Sequence, residues 1–315
     1  MTKKNINGIL NIDKPPSITS MDVVRVVKRL IGAKKVGHAG TLDPLATGVL
    51  PICIGQATRL VEHMVTGEKI YRGRIELGIT TDSYDSDGRI IDSQNPSEIT
   101  RKDFERVLQK FVGEIDQLPP MFSAVKYQGK RLYQLAREGI EVARQARKVN
   151  VISLHLIDWA HPSATIEITC GKGFYMRTLA HDIGQELGCG AHLSSLTRIR
   201  GGPFEISTSI SLSELEELIV SDKWLDYLEP PDAGAKDLRP LVIDNNSEKI
   251  LANGQPIAAR LSEIKTEHAE TRRLYAHDGR FVAIARYDRS LTQWKPIKVF
   301  DLPFPSKIAP EFGVC

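Results

Sequence analysis

A histidine and an aspartate, His38 and Asp43, stand five residues apart in the run Gly37-His38-Ala39-Gly40-Thr41-Leu42-Asp43-Pro44-Leu45-Ala46-Thr47-Gly48-Val49-Leu50-Pro51. Gly37, Gly40 and Gly48 permit backbone conformations that neither a helix nor a packed strand requires. Pro44 favours an extended backbone at Asp43. The carboxylate is therefore expected on a shaped loop, the kind of segment on which a rigid scaffold carries its chemistry. Such a carboxylate can bind a metal, act as a base or act as a nucleophile. A metal would call for more ligands at suitable spacing, and only His38 stands near.

A second segment, Lys172-Gly173-Phe174-Tyr175-Met176-Arg177-Thr178, turns into a predicted helix from Tyr175 to Leu187. That helix puts Tyr175 and Arg177 on its first turn. An arginine set against Asp43 would keep the carboxylate charged and aim it. Spacing alone does not make that contact, since an arginine in a first turn is commonly a surface residue.

The elements that must position these groups follow from patterning. A chain of 315 residues is long enough for two domains. Gly8 to Asp13 reads as a strand stopped by Pro15 and Pro16. Thr19 or Ser20 can cap a helix with Val23, Val24, Val27, Leu30 and Ile31 on its apolar face and Arg25, Lys28 and Arg29 on the other. Val49 to Ile54 is an expected buried strand, Ala57 to Met64 a short helix, and Lys69 to Gly78 an alternating strand. Thr80 to Gly88 reads as a loop. Thr100 with Asp103 opens a helix to Val112. Strands are expected at 149–158 and 165–170. Ser211 with Glu214 signals a capping box for a helix from Leu212 to Val220. Residues 228–240 carry Pro230, Pro231, Gly234 and Pro240 and read as a linker. Beyond it, segments at 273–276, 281–287 and 297–302 suggest a small all-β unit. The class is α+β.

Composition narrows the function classes. Hydrophobic residues make up 41% and charged residues 26%, as in ordinary globular proteins. No run of about 18 apolar residues suggests a membrane span. The first residues contain no apolar signal-peptide core. Cys53, Cys170, Cys189 and Cys315 form no CxxC pair, which points away from zinc and dithiol chemistry and fits a reducing cytoplasm. The net charge of +3 is modest but uneven. Between Ser123 and Asn150, seven basic and two acidic residues give +5, with Tyr127 and Tyr133 interleaved. A basic cluster with aromatics, together with the basic helix face, points to nucleic acid.

Several motifs in order resemble the TruB family of tRNA pseudouridine synthases along nearly the whole chain. They are Asn11-Ile12-Asp13-Lys14-Pro15; Val36 through Pro51; Gly55-Gln56-Ala57-Thr58-Arg59; Lys69-Ile70-Tyr71; Thr81-Asp82 with Asp85-Ser86-Asp87-Gly88; Pro119 through Lys126; Gly173 through Leu179; and Gly188 through Leu193. The resemblance implies isomerisation of uridine 55 in the tRNA T-loop to pseudouridine, after the base is flipped from its stack. The uracil is cut from the ribose at N1 and rejoined through C5. The exchange is redox-neutral, so no cofactor and no metal are expected. By the same resemblance Asp43 is the catalytic aspartate, and Arg177 pairs with it. Tyr71 stacks on the extruded uracil, Tyr175 touches substrate, Leu196 lines the uracil pocket, and His38 engages the RNA. Lys14 is structural support.

The implied fold is a pseudouridine-synthase catalytic domain, 1–235, with a mixed, largely antiparallel sheet flanked by helices. A small PUA-like C-terminal β-barrel, 236–315, follows. Segment 119–148 corresponds to an insertion that folds over the T-loop, with Lys126, Lys130 and Arg131 as RNA contacts. The C-terminal unit is expected to reach the acceptor stem. A cytoplasmic monomer without an obligatory protein partner is expected. Ala39, Phe174 and Met176 depart from the family pattern without removing a chemical group. A guide-RNA-dependent synthase of the dyskerin type and a non-catalytic tRNA-folding protein are the alternatives.

Overall fold

The protein is described by a computed structural model covering residues 6–310. Its larger sheet has the strands β1 (Gly8–Lys14), β2 (Val36–His38), β3 (Thr47–Ile54), β4 (Lys69–Leu77), β5 (Gly113–Gln117), β6 (Arg147–Ala160), β7 (Ser163–Cys170) and β8 (Ala191–Gly201). Their hydrogen-bonded order is β1-β3-β8-β4-β7-β6-β5, with β2 alongside β3 and short strand pairs added at β1 and β8. Most pairs are antiparallel; β8 with β3, and β1 with Ile210–Ser211, are parallel. The mixed, largely antiparallel sheet is as expected.

Four helices flank it: α1 (Ser20–Ile31), α2 (Arg101–Leu108), α3 (Met176–Leu187) and α4 (Leu212–Val220). Capping boxes open three of them: Thr19 with Asp22, Thr100 with Asp103, and Ser211 with Glu214. Gly32 and Gly188 end α1 and α3 in the left-handed conformation. On α1, Val23, Val24 and Val27 are buried while Arg25, Lys28 and Arg29 face outward. α2 is shorter than expected, giving way to a 3-10 turn at Gln109–Phe111. Residues 55–66 likewise begin as a 3-10 turn before a helix at Val61–Thr66. The expected loop after Gly78 starts with a short strand, Ile79–Thr81, paired with Ile90–Ser93.

The alternation of side chains explains the continuous apolar run of β3. Leu50, Ile52 and Ile54 face the helices, together with Leu10 and Ile12 of β1. Val49 and Cys53, with Ile9 of β1, face the other way into a second core. That second core includes Tyr275, Phe281, Ile284, Phe300 and Leu302 from the C-terminal unit. The C-terminal strands are β9 (Arg239–Val242), β10 (Ile257–Ala258), β11 (Thr271–Tyr275), β12 (Phe281–Asp288) and β13 (Gln293–Val299). They form a curled five-stranded half-barrel in the order β9-β11-β12-β13-β10.

Residues 228–240 are not a free tether. Pro231 to Ala235 form a 3-10 turn buried in the second core. A side chain at Gly234 would meet Ile9 and Met64 at 3.0 Å. Asp232 is fully buried, accepts a 2.6 Å hydrogen bond from the Tyr275 hydroxyl, and accepts two 2.8 Å contacts from the Ser306 hydroxyl. Arg273 donates to the Tyr275 oxygen at 3.0 Å. Proline and glycine serve close packing here, which composition cannot distinguish from freedom.

This network makes a stability prediction. Asp232→Ala would strand the Tyr275 hydroxyl and leave Arg273 buried without its counter-charge. Unfolding free energy should fall by about 3 kcal/mol, measured by chemical denaturation. A loss under about 1 kcal/mol would show that the network is dispensable.

Candidate active site

Asp43 lies on the loop between β2 and β3, as the glycine spacing requires. Three groups hold that loop from beneath. The Ser20 hydroxyl accepts from Leu42 N at 2.9 Å and donates to Leu42 O at 3.1 Å. The Asp13 carboxylate accepts from Gly48 N at 3.1 Å. Lys14, with no exposed surface, donates to the carbonyls of Pro15 at 2.8 Å, Pro44 at 3.1 Å and Ala46 at 2.8 Å. Burial pushes the Lys14 ammonium down to about 8, against the opposing pull of Asp43 and Asp22. Gly48 has φ +95°, and a side chain there would sit 2.3 Å from the Arg198 carbonyl. No other residue fits that approach.

Arg177 reaches Asp43 from the start of α3. Its Nη2 donates to Asp43 Oδ1 at 3.1 Å, and its Nε lies 2.9 Å from Oδ2 as an ionic contact whose hydrogen is not aligned for a bond. The arginine side chain is 4% exposed and the aspartate 35%, so the cation is fixed while the carboxylate keeps an open face. Nη2 also donates to Phe122 O at 2.8 Å, and Nη1 to Ser83 O at 3.4 Å. A second carboxylate shares the arginine: Asp85 Oδ2 lies 3.5 Å from Nε. Burial pushes the Asp85 carboxyl above the usual range, while a Ser83 hydrogen bond and Arg177 oppose the shift. The sequence carried Asp85 within a polar motif but offered no sign of this contact.

Tyr175 caps α3 and is not part of its first turn. Its backbone N donates to Gln117 Oε1 at 2.7 Å, and its carbonyl accepts from Gln117 Nε2 at 2.9 Å. Tyr71 lies on β4 opposite Arg198 of β8, and Leu196 lies opposite Gly73. Gly73 leaves room for Met176 and Leu193, which a side chain would meet at 2.9 and 3.1 Å. Burial raises both phenols above their ordinary value, and the Asp43 charge adds to each shift. Asp43, Arg177, Tyr71 and Tyr175 thus form one electrostatic neighbourhood, with the buried Leu196 beside Tyr71. His38 sits at the loop's other end, its Nδ1 without a protein partner; burial and then Arg198 push its imidazole down.

Lys126, Lys130 and Arg131 lie apart from this cluster. They are exposed on a hairpin, Lys126–Tyr127 with Lys130–Arg131, turned at Gln128 and Gly129 with φ of 47° and 87°. The hairpin and the helix Leu132–Arg137 rest on a small core of Met121, Leu132 and Leu135. The root of the same segment supplies Phe122 O to Arg177, so the basic hairpin is tied to the carboxylate. Among the described residues, no three of His, Cys, Asp and Glu gather as a metal site would require. Among the described residues, no helix is long and apolar enough to cross a membrane.

Residues 28–176 match the N-terminal domain of the TruB family of pseudouridylate synthases. Residues 177–234 match the C-terminal domain of tRNA pseudouridylate synthase B. A tRNA pseudouridine synthase B of Dehalococcoides mccartyi is 43% identical over 304 residues, covering 96% of this chain and 100% of the relative. That of Clostridium tetani is 38% identical, covering 89% and 96%. Among solved structures, a Cbf5-Nop10-Gar1 complex aligns with TM-score 0.72 and 25% identity over 97% of this chain and 87% of that one. An H/ACA RNP bound to a substrate RNA containing 2'-deoxyuridine aligns at 0.71 with 23% identity over 96% and 87%, a likeness of fold alone.

The Lys14 staple has a pH signature. Its folded value of about 8 lies below the ~10.4 of an unfolded lysine. Between those values the unfolded chain binds more protons, so stability rises with pH. Compared with Lys14→Met, the wild type should therefore gain stability as pH climbs from 8 to 10 in thermal unfolding. A constant difference between the two proteins would contradict the assignment.

Proposed function

The chain belongs to the TruB family of pseudouridylate synthases, and from that premise we propose that it isomerises uridine 55 of the tRNA T-loop to pseudouridine. The enzyme is an isomerase acting on tRNA. The observation that carries the reading is the Asp43–Arg177 pair, a half-open carboxylate fixed by a buried cation.

The reaction breaks the bond from ribose C1′ to uracil N1 and forms one from C1′ to C5. A proton leaves C5 and N1 regains one, so atoms and charge balance with no redox step. The uridine must first leave its stack, at a cost of a few kcal/mol. Asp43 then acts on it as nucleophile or as the charge that assists cleavage. Arg177 holds that carboxylate in its aimed position. Tyr71 stacks on the extruded base, Leu196 lines its pocket, Tyr175 contacts it and His38 engages the RNA it has left.

We assign residues 1–235 to catalysis and 236–315 to a PUA-like RNA-binding domain that reaches the acceptor stem. The insertion 119–148 clamps the T-stem-loop through Lys126, Lys130 and Arg131. Every group named comes from one chain, which supports a monomer without an obligatory protein partner. A cytoplasmic location fits the free buried thiols Cys53, Cys170 and Cys189 found among the described residues. The guide-RNA-dependent alternative is disfavoured, because identity to tRNA pseudouridine synthase B reaches 43% and identity to the Cbf5 complex is 25%. The intact ion pair argues against a protein that only folds tRNA.

Asp43→Asn should abolish tritium release from tRNA labelled at uridine C5 by several orders of magnitude, while tRNA binding persists. Turnover equal to wild type would refute the assignment. Neutralising Lys126, Lys130 and Arg131 together should weaken binding and lower the slope of log affinity against log salt by up to about one for each phosphate no longer neutralised. An unchanged slope would make the hairpin a merely solvated surface.

A further inference from the structure

Arg198, on β8, is 2% exposed and stands among the largest fully buried side chains. Two other arginines have carboxylate partners: Arg177, on α3, in Asp43 and Asp85, and Arg200, two residues further along β8, in Glu68. Among the described residues Arg198 has no ion pair. A buried cation without a counter-charge is costly. An apolar side chain of similar volume would fill the same space, so packing alone does not account for an arginine here.

What it does hold is backbone. Nε donates to Val49 O at 2.7 Å, and Nη2 donates to Gly40 O at 3.2 Å. Those two carbonyls lie on opposite arms of the loop that carries Asp43. One rigid planar fork therefore spans the loop, which a flexible ammonium could not reproduce. Gly40 makes room for it: φ is +104°, and a side chain would meet Nη1 at 3.3 Å. Arg198 also faces Tyr71 directly across the β4–β8 pairing.

We propose that Arg198 is a positioning residue of the isomerisation, whose guanidinium clamps both arms of the catalytic loop and so fixes Asp43 relative to Tyr71. The proposal rests on the reading of Asp43 as the reacting carboxylate. It explains why an unpaired cation is retained at this place: the two carbonyls and the loop geometry require a donor fork, and the open face of Asp43 depends on that geometry.

Two variants test it. Arg198→Met removes the fork and the charge, and Arg198→Lys keeps the charge with a single reach. In single-turnover tritium release at saturating tRNA, the methionine variant should be slower by about 100-fold. The lysine variant should recover part of that activity, and tRNA affinity should be unchanged in both. Wild-type rates in the folded variants would overturn the proposal. So would a slower rate matched by an equal fall in tRNA affinity, or failure of both variants to fold. Failure of the underlying reading would look different: wild-type protein releasing no tritium, or Asp43→Asn retaining full activity.

Discussion

The buried guanidinium of Arg177 is neutralised, and the group that neutralises it is also the one left open to a substrate. Arg177 is shut inside the fold, and its ionic partners are Asp43, on an open loop, and Asp85, behind it. Removing an arginine from water is tolerable only where carboxylates and carbonyls replace its hydration. The loop bearing Asp43 must therefore close onto the start of α3, and the insertion must supply Phe122 O. The same requirement keeps Asp43 pointed, which is what the proposed chemistry asks of it.

The rest of the architecture makes that closure rigid. Lys14, Ser20 and Asp13 hold the loop from below through its backbone, and Gly48 admits β8 at a distance no side chain would allow. The strand behind the loop, β3, is buried on both faces, by helices on one and by the C-terminal half-barrel on the other. Ala39 and Val49, at the two ends of the loop, belong to the core shared with the C-terminal unit. The C-terminal unit is thus part of the floor of the Asp43 loop as well as a candidate RNA contact.

Much of this is legible in the chain. Glycine spacing around Asp43 calls for a shaped loop, and capping pairs at Thr19, Thr100 and Ser211 mark three helix starts. The central strand β8 is not legible, because a bulge between Leu193 and Ser195 breaks its alternation. Asp85 and Arg198 escape sequence reasoning because their partners lie far away along the chain and no local spacing encodes those contacts. The turn at 231–235 reads as a linker because proline and glycine mark tight packing and loose connection alike.

The most direct test is a structure of this protein bound to a tRNA T-stem-loop. Uridine 55 should be turned out of its stack, with C1′ within about 3.5 Å of an Asp43 oxygen and Arg177 still on the opposite edge of that carboxylate. A flipped uridine seated elsewhere, with Asp43 facing only solvent, would contradict it.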